Sequence, residues 1–263
     1  MASGKQSKRR RRPQQQAPPP AVRRKGERRQ ASPRVLAAGA GLLVLILVAA
    51  ILGFAFGRGG SSSTRTLPGR ADVQTLLKGI PQHGNVLGKA TARATIVEYI
   101  DLQCPFCQQF ETQALPTLLQ QYVRTGKARL VMKPIAFIGP DSQLGRLAAI
   151  AAGQQNKMFN FAELLYLNQG TENTGWLDGS MVASAARSIP GVNVSKLLAD
   201  AGASATRDAA AAFDRQATAD AVTATPTILV GKSGGTLQRV SLSSPSDVQS
   251  VGAAVSRALH SAG

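Results

Sequence analysis

The apolar residues of this chain form one long uninterrupted run and a series of short periodic segments. Residues 35–57 are the long run, with no charged residue between Arg34 and Arg58. A helix rises 1.5 Å per residue, so this run is long enough to cross a hydrocarbon core of about 30 Å. The positive charge that precedes it predicts a single transmembrane helix with a cytoplasmic N-terminus. A cleaved signal peptide ending near residues 55–57 is the alternative.

The segments that follow alternate between strand and helix patterns. Residues 94–100 are an apolar, β-branched run that predicts a buried strand, and residues 128–132 predict a second one. Between them, apolar side chains recur at helical spacing: Phe110, Ala114, Leu118, Tyr122. The first half of this region is therefore expected to be a β–α–β unit.

An Ala-rich helical block of about residues 141–223 comes next, divided by glycines and by Pro190. Residues 227–231 then predict a buried strand, and residues 237–240 pair back with it as a hairpin. A closing amphipathic helix is expected over residues 246–260. Ser244 and Ser246 are its predicted N-caps. The pattern predicts an α/β fold with helices inserted between its strands.

Most of the charge lies in the N-terminal tail. Residues 1–34 carry +11 of the formal net charge of +17 and almost no large apolar side chains, so they are predicted to be disordered. We expect this tail to be cytoplasmic and to touch anionic lipid. Residues 59–263 are nearly balanced in charge, so no nucleic-acid partner is expected.

Residues 58–70 are rich in Gly and Ser and are predicted to be a flexible linker.

The only two cysteines, Cys104 and Cys107, follow the first strand and begin the helix. At a helix N-terminus, unpaired backbone amides and the helix dipole stabilise a thiolate, which is the species that attacks disulfides. Pro105 suits the first helical position. A zinc site would have only His83 and His260 to add, without ligand spacing. A structural disulfide or two inert thiols is the other alternative. The layout favours a thioredoxin-like redox centre without cofactor or metal.

At these residues the chain resembles the DsbA-like branch of the thioredoxin superfamily, the extracytoplasmic thiol-disulfide oxidoreductases. The resemblance rests on the sequence of residues 98–107, on the helical block after Asp141, and on the Thr-Pro-Thr of residues 225–227. It covers roughly residues 85–260. It implies a thioredoxin fold over residues 71–263, with a helical domain inserted at about residues 141–223.

The resemblance also implies a role for individual residues. Cys104 would be the exposed nucleophile and Cys107 the buried resolving thiol. Glu98, six residues before the nucleophile, would be a buried acid beneath the disulfide, with a raised pKa that lets it exchange a proton with Cys107. A solvent-facing strand residue is the alternative for Glu98. Asp101 is either a further functional acid or a turn or cap residue.

The substrate would be bound around the cysteines. Pro226 would be a cis-proline packed against the pair, with Thr225 presenting backbone groups to substrate. Pro105 and Phe106, between the cysteines, complete the expected binding residues. Because Phe106 stands where the strongest oxidants of the family have His, it adds no positive charge or polar donor. The sequence therefore predicts a moderately oxidising centre.

The expected function is that of a membrane-anchored oxidase with an extracytoplasmic catalytic domain. It would introduce disulfides into reduced exported proteins through a mixed disulfide at Cys104. A quinone-linked membrane protein, of the DsbB or vitamin K epoxide reductase-like kind, would reoxidise it. A reductase that delivers electrons outward is the nearest alternative. A non-enzymatic thioredoxin-fold binding module is another.

Overall fold

A six-stranded mixed sheet lies at the centre of the computed structural model, which describes residues 66–260. Its strand order is β1-β2-β4-β3-β5-β6. Strands β3 and β4 are parallel, and every other neighbouring pair is antiparallel. The strands are β1 (Gln82–His83), β2 (Val86–Leu87), β3 (Ala94–Ile100), β4 (Ala128–Pro134), β5 (Thr227–Lys232) and β6 (Leu237–Arg239). Strand β3 is buried at all of its residues, as its continuous apolar run predicts for a central strand.

The predicted β–α–β unit is confirmed, and its crossover carries both cysteines. Residues 105–123, which we call the cysteine helix, connect β3 to β4. They begin as α2 (Pro105–Gln109), widen into a π-helical segment (Phe110–Ala114), return to α3 (Leu115–Leu118) and end in a second π-helical segment (Leu119–Val123). The cysteine helix packs its apolar side chains against one face of the sheet.

Five helices lie between β4 and β5, as the Ala-rich block predicts. They are α4 (Pro140–Gly153), α5 (Met158–Tyr166), α6 (Gly179–Ser188), α7 (Val194–Ala201) and α8 (Ser204–Ala219). Phe159, Phe161 and Tyr166 are buried in the same core as the cysteine helix. A smaller core on the other face of the sheet joins Tyr99 to Ala217. Helix α1 (Arg70–Leu77) precedes the sheet, and α9 (Val248–His260) closes the described chain.

The predicted N-caps of the last helix are wrong, since Ser244 and Ser246 stand three residues and one residue before the cap that the structure shows. Asp247 stands directly before α9, and its Oδ1 accepts the backbone N–H of Ser250 at 2.9 Å. Its Oδ2 accepts the N–H and the hydroxyl of Ser243, at 2.9 and 2.7 Å. A carboxylate at this position also interacts favourably with the helix dipole, which the hydroxyl of Ser244 or Ser246 cannot do.

The predicted transmembrane helix at 35–57, the tail at 1–34 and most of the linker lie outside the described residues. Among the helices of residues 66–260, none combines the length and the apolar character that a membrane crossing needs.

The C-terminal end of α8 contains a strained residue. Ala221 has φ +50°, in the left-handed region that side chains other than Gly rarely adopt. Its N–H donates to Thr218, and the next N–H, of Val222, donates to the carbonyl of Ala217. This is the hydrogen-bond pattern of a helix that normally ends at glycine.

Replacing Ala221 with Gly is expected to raise the free energy of unfolding by roughly 0.5–1 kcal/mol, since glycine adopts this conformation without steric cost. Chemical denaturation of the full-length chain would measure it. Ala211→Gly, at an exposed site inside α8, is the matched control and should lower stability by about 1 kcal/mol. Two losses of equal size would contradict the assignment of strain to residue 221.

Candidate active site

The two cysteines stand at the first turn of α2, directly beyond the C-terminal end of β3. Cys104 is the N-cap residue, with extended backbone (φ −71°, ψ 120°), and Pro105 opens the helix. The Cys104 N–H donates to the carbonyl of Asp101, and the N–H of Gln108 donates to the carbonyl of Cys104, both at 3.0 Å. The sequence therefore places the pair at a helix N-terminus, as predicted.

The two thiols differ in their ionisation. Hydrogen bonds from the Cys107 side chain, from the Thr225 side chain, and from the backbone N–H groups of Cys107 and Phe106 lower the pKa of Cys104 to about 6, against the opposing effect of burial. Burial raises the pKa of Cys107 well above its usual range, and the charge of Cys104 adds to that. At neutral pH the pair therefore carries one thiolate, on Cys104, and one thiol, on Cys107.

The prediction that Cys104 is exposed to solvent is wrong. Only 5% of its surface is exposed, against 0% for Cys107. The cause is the loop before β5, which packs against the pair: the Cys104 Sγ lies 3.3 Å from the carbonyl oxygen of Thr225. The Thr225–Pro226 peptide bond is cis, as the resemblance implies. This loop is far from the cysteines in sequence, so the burial of Cys104 depends on tertiary packing and could not be predicted from the local sequence.

Glu98 lies beneath this site, on β3, and is completely buried. The solvent-facing alternative for Glu98 is therefore wrong. Burial raises the pKa of Glu98 well above its usual range, and the charge and hydrogen bond of Glu111 raise it further.

Two buried acids were missed by the sequence analysis, Glu111 and Glu163. Glu111 stands four residues after Cys107, and this helical spacing in the sequence could have identified it as a candidate site residue. Glu163 comes from α5, and its position depends on how the inserted helices pack.

Asp101 accepts four hydrogen bonds around the loop that precedes Cys104. It is fully buried. Its Oδ1 accepts the N–H of Gln103 at 2.9 Å and the hydroxyl of Ser142 at 2.7 Å. Its Oδ2 accepts the N–H groups of Phe137 and Ile138, at 2.7 and 3.1 Å. The structure thus supports the turn-residue alternative for Asp101, since three of the four contacts are with loop backbone and the fourth is with Ser142 in the first turn of α4.

Residues at and just after the C-terminal end of α5 also bind this loop. Gln169 donates its Nε2 to the carbonyls of Leu102 and Cys104, at 2.9 and 3.2 Å. The Tyr166 hydroxyl donates to the carbonyl of Asp101 at 3.1 Å. The nucleophile's backbone is therefore positioned from two sides of the fold.

Two large apolar side chains are exposed near these loops. Phe106, between the cysteines, is 59% exposed, and Phe137, on the loop bound by Asp101, is 51% exposed. Phe137 was missed, because its position follows from the hydrogen bonds of Asp101 rather than from a sequence pattern. Among residues 66–260, no group of three or more His, Cys, Asp or Glu side chains could hold a metal ion.

A dithiol at the start of a helix, after a central strand and opposite a cis-proline loop, defines a thioredoxin-type fold. The sequence family described as Thioredoxin matches residues 82–238. The chain belongs to this family.

Relatives with functional names are similar over part of their length. A probable disulfide bond formation protein D from Bacillus cereus is 32% identical over 117 residues, which cover 43% of this chain and 54% of that protein. The chain thus spans about half the length of the curated relatives it matches. The crystal structure of oxidised BdbD from Bacillus subtilis has a TM-score of 0.60 at 20% identity, covering 69% of this chain and 97% of that one. A thioredoxin-like oxidoreductase from Silicibacter pomeroyi has a TM-score of 0.53 at 25% identity, covering 71% and 96%.

The thiolate of reduced Cys104 is expected to form with a midpoint near pH 6, because the folded site lowers its pKa to about 6. The rate of iodoacetamide alkylation against pH, with the modified cysteine identified by mass spectrometry, measures this midpoint. Cys107 should remain unmodified in the folded protein. Urea-unfolded protein is the control, and both thiols should then titrate near about pH 8.5. A folded-state midpoint equal to the unfolded one would contradict the assignment.

Proposed function

We propose that this chain is a protein thiol-disulfide oxidoreductase that works mainly as an oxidase. The observation that carries the proposal is the asymmetry of the dithiol: Cys104 has a lowered pKa and Cys107 a raised one. This asymmetry supports a nucleophile and a resolving thiol, in the roles that the sequence predicts. The names of the Bacillus relatives, disulfide bond formation proteins, agree with it.

The exchange has two balanced steps. A substrate thiolate attacks the Sγ of Cys104 in the oxidised protein, the Cys104–Cys107 bond breaks, and Cys107 leaves with the electron pair and takes up a proton. A second thiolate of the substrate then attacks the substrate sulfur that is bonded to Cys104, and Cys104 leaves as a thiolate. The substrate loses two electrons and the protein gains them. Glu98, buried in the same core, is the proposed acid that supplies the proton to Cys107.

The oxidase direction follows from the stability of the leaving thiolate. Hydrogen bonds that stabilise the Cys104 thiolate stabilise the reduced protein, which makes its disulfide a stronger oxidant. The exposed ring of Phe106 adds no charge to this effect, so the centre is proposed to be moderately oxidising. The reductase alternative requires a less stabilised thiolate.

Substrate binding is proposed to use the surface around Cys104. Thr225 and Pro226 form one side, and the exposed rings of Phe106 and Phe137 offer apolar contacts on a surface that also includes Pro105. An extended segment of a reduced, unfolded protein fits these features, because it can present backbone groups and apolar side chains together.

The cellular setting is also a proposal. The apolar run at 35–57 would anchor the chain as a single-pass protein with its N-terminus in the cytoplasm and its catalytic domain outside. Reduced exported proteins are then the substrates. A quinone-linked membrane protein, DsbB-like or vitamin K epoxide reductase-like, would accept the two electrons and restore the disulfide.

Full-length Cys107→Ala is expected to accumulate mixed disulfides with exported proteins that already contain a disulfide. The Cys104 thiolate attacks that disulfide and one substrate sulfur leaves as a thiolate, and without Cys107 no intramolecular attack on Cys104 releases the substrate. Non-reducing electrophoresis followed by mass spectrometry of the adducts measures this. Cys104→Ala is the matched control and should form none, since it lacks the nucleophile. Absence of adducts in both variants would contradict the enzyme and favour the binding-module alternative.

A further inference from the structure

A cavity of about 590 Å³ lies between α1, the start of β1 and the inserted helices. Its walls come from α1 and the loop after it, from β1, from the loop between α4 and α5, from the first turn of α5 and from the loop after α6. The described residues that line it include neither cysteine and none of the residues assigned to substrate binding. The proposed function therefore leaves this cavity without a role.

The charged side chains of the cavity are both positive. They are Lys78, which is exposed, and Lys157, which is half-buried. Among the described lining residues there is no Asp or Glu. Within residues 66–260, the ion pairs join Arg146 to Asp214 and Lys196 to Asp200, so neither lysine of the cavity is neutralised by a carboxylate. Two such ammonium groups around one cavity attract an anion.

Helix α5 begins at the cavity and adds to its positive potential. The N-cap residue of α5 is Lys157, whose side chain bonds to none of the helix amides, and the first turn of this helix contains no acidic residue. The first amides of a helix have no acceptor within the helix, and the positive end of the helix dipole lies there. This helix start therefore favours a negative group in the cavity.

A buried amide at the cavity has an unused hydrogen-bond donor. Asn160, in the first turn of α5, is only 8% exposed. Its Oδ1 accepts a hydrogen bond from Nε2 of Gln82 at 2.8 Å, whereas its Nδ2 donates to no group of residues 66–260. Oε1 of Gln82 is buried and also lacks a partner in this part of the chain. Reversing both amides would exchange the atoms, but a single bond would still leave one polar atom of each unpaired.

Unpaired polar groups of this kind indicate a ligand, because a buried group without a hydrogen bond is costly. Asn160 stands three residues after Lys157, so the two lie on the same side of α5. The unpaired amide, the ammonium group and the helix start thus face one cavity. A ligand with several acceptor oxygens would satisfy all three.

The wall that carries Lys157 is held in place without a ligand. The Gln155 side chain accepts the N–H of Asn193 at 2.8 Å and donates to the carbonyl of the same residue at 3.1 Å. Oδ1 of Asn156 accepts the N–H of Gly84 at 3.0 Å. These bonds join the loop before α5 to β1–β2 and to the start of α7. The donors are therefore positioned in advance, which lowers the entropic cost of binding.

We propose that this cavity binds a phosphate group through the ammonium groups of Lys78 and Lys157, the Asn160 amide and the first turn of α5. A phosphate ester carries about one to two negative charges and several strong acceptor oxygens, which match these donors. Ile80 and Ile189 line the same cavity and offer apolar contacts to the carbon skeleton of the ligand. A soluble phosphate ester and a phospholipid headgroup share this chemistry.

The test uses glycerol 3-phosphate as the probe and isothermal titration calorimetry of the full-length chain in nanodiscs of neutral phosphatidylcholine. The wild-type chain should bind the probe. Lys157→Gln should weaken the affinity about tenfold, because a charged hydrogen-bond donor is lost. Lys78→Gln should weaken it less, since Lys78 is exposed. Lys232→Gln, at the exposed end of β5, is the matched control and should leave the affinity unchanged.

Glycerol is the neutral control ligand and should not bind. A wild-type chain that does not bind glycerol 3-phosphate overturns the proposal. Equal affinities in the wild type and in the Lys78→Gln/Lys157→Gln double variant overturn it as well. So does binding of glycerol as tight as that of its phosphate, since the recognition would then not depend on charge.

The side-chain amide resonance of Asn160, followed by NMR, distinguishes the two sources of phosphate. A shift in nanodiscs of phosphatidylglycerol, without the probe, identifies a lipid headgroup as the ligand. A shift that requires glycerol 3-phosphate in either kind of disc identifies a soluble ester. A resonance that moves in neither case overturns the contact with Asn160. None of these measurements involves Cys104 or Cys107, so failure of this site is distinct from failure of the exchange function.

Discussion

The opposite ionisation of two neighbouring thiols is the constraint on which the site depends. Cys104 caps a helix and receives hydrogen bonds from the Cys107 and Thr225 side chains and from backbone amides, whereas Cys107 is wholly buried one turn later. Burial alone would raise the pKa of both. At Cys104 the hydrogen bonds outweigh burial, whereas at Cys107 burial prevails over the hydrogen bonds that oppose it, so Cys107 is the donor and Cys104 the acceptor between the two sulfurs. A reactive nucleophile and a protonated partner result from the same four-residue segment.

The rest of the fold keeps those donors in place. Strand β3 is buried on both faces and brings Glu98 and Asp101 to the base of the site. Asp101 binds the loop before Cys104, the loop after β4 and the first turn of α4 with four hydrogen bonds. Gln169, in the segment that follows α5, binds the backbone before Cys104 from the inserted region. The cis Thr225–Pro226 loop covers the nucleophile from the remaining side. Inserted helices and sheet therefore act together on the position of Cys104.

Much of this was predictable from local sequence. The run at 94–100 and the helical spacing after Cys107 predicted the strand and the helix. The cis-proline at Pro226 was implied by the family resemblance, which rests in part on the Thr-Pro-Thr of residues 225–227. Features that depend on packing were not predictable: the cover over Cys104, the meeting of Glu163 with Glu98, and the exposure of Phe137. The cap at Asp247 was missed for a local reason, because two nearby serines were equally plausible caps.

The reduction potential of the full-length chain tests the central claim most directly. The protein would be equilibrated with glutathione buffers and its thiols trapped and counted. A thiolate stabilised as in this structure should give a value between roughly −120 and −200 mV, where DsbA and protein disulfide isomerase lie. A value near about −270 mV, that of thioredoxin, would contradict the oxidase assignment and reverse the direction of electron flow.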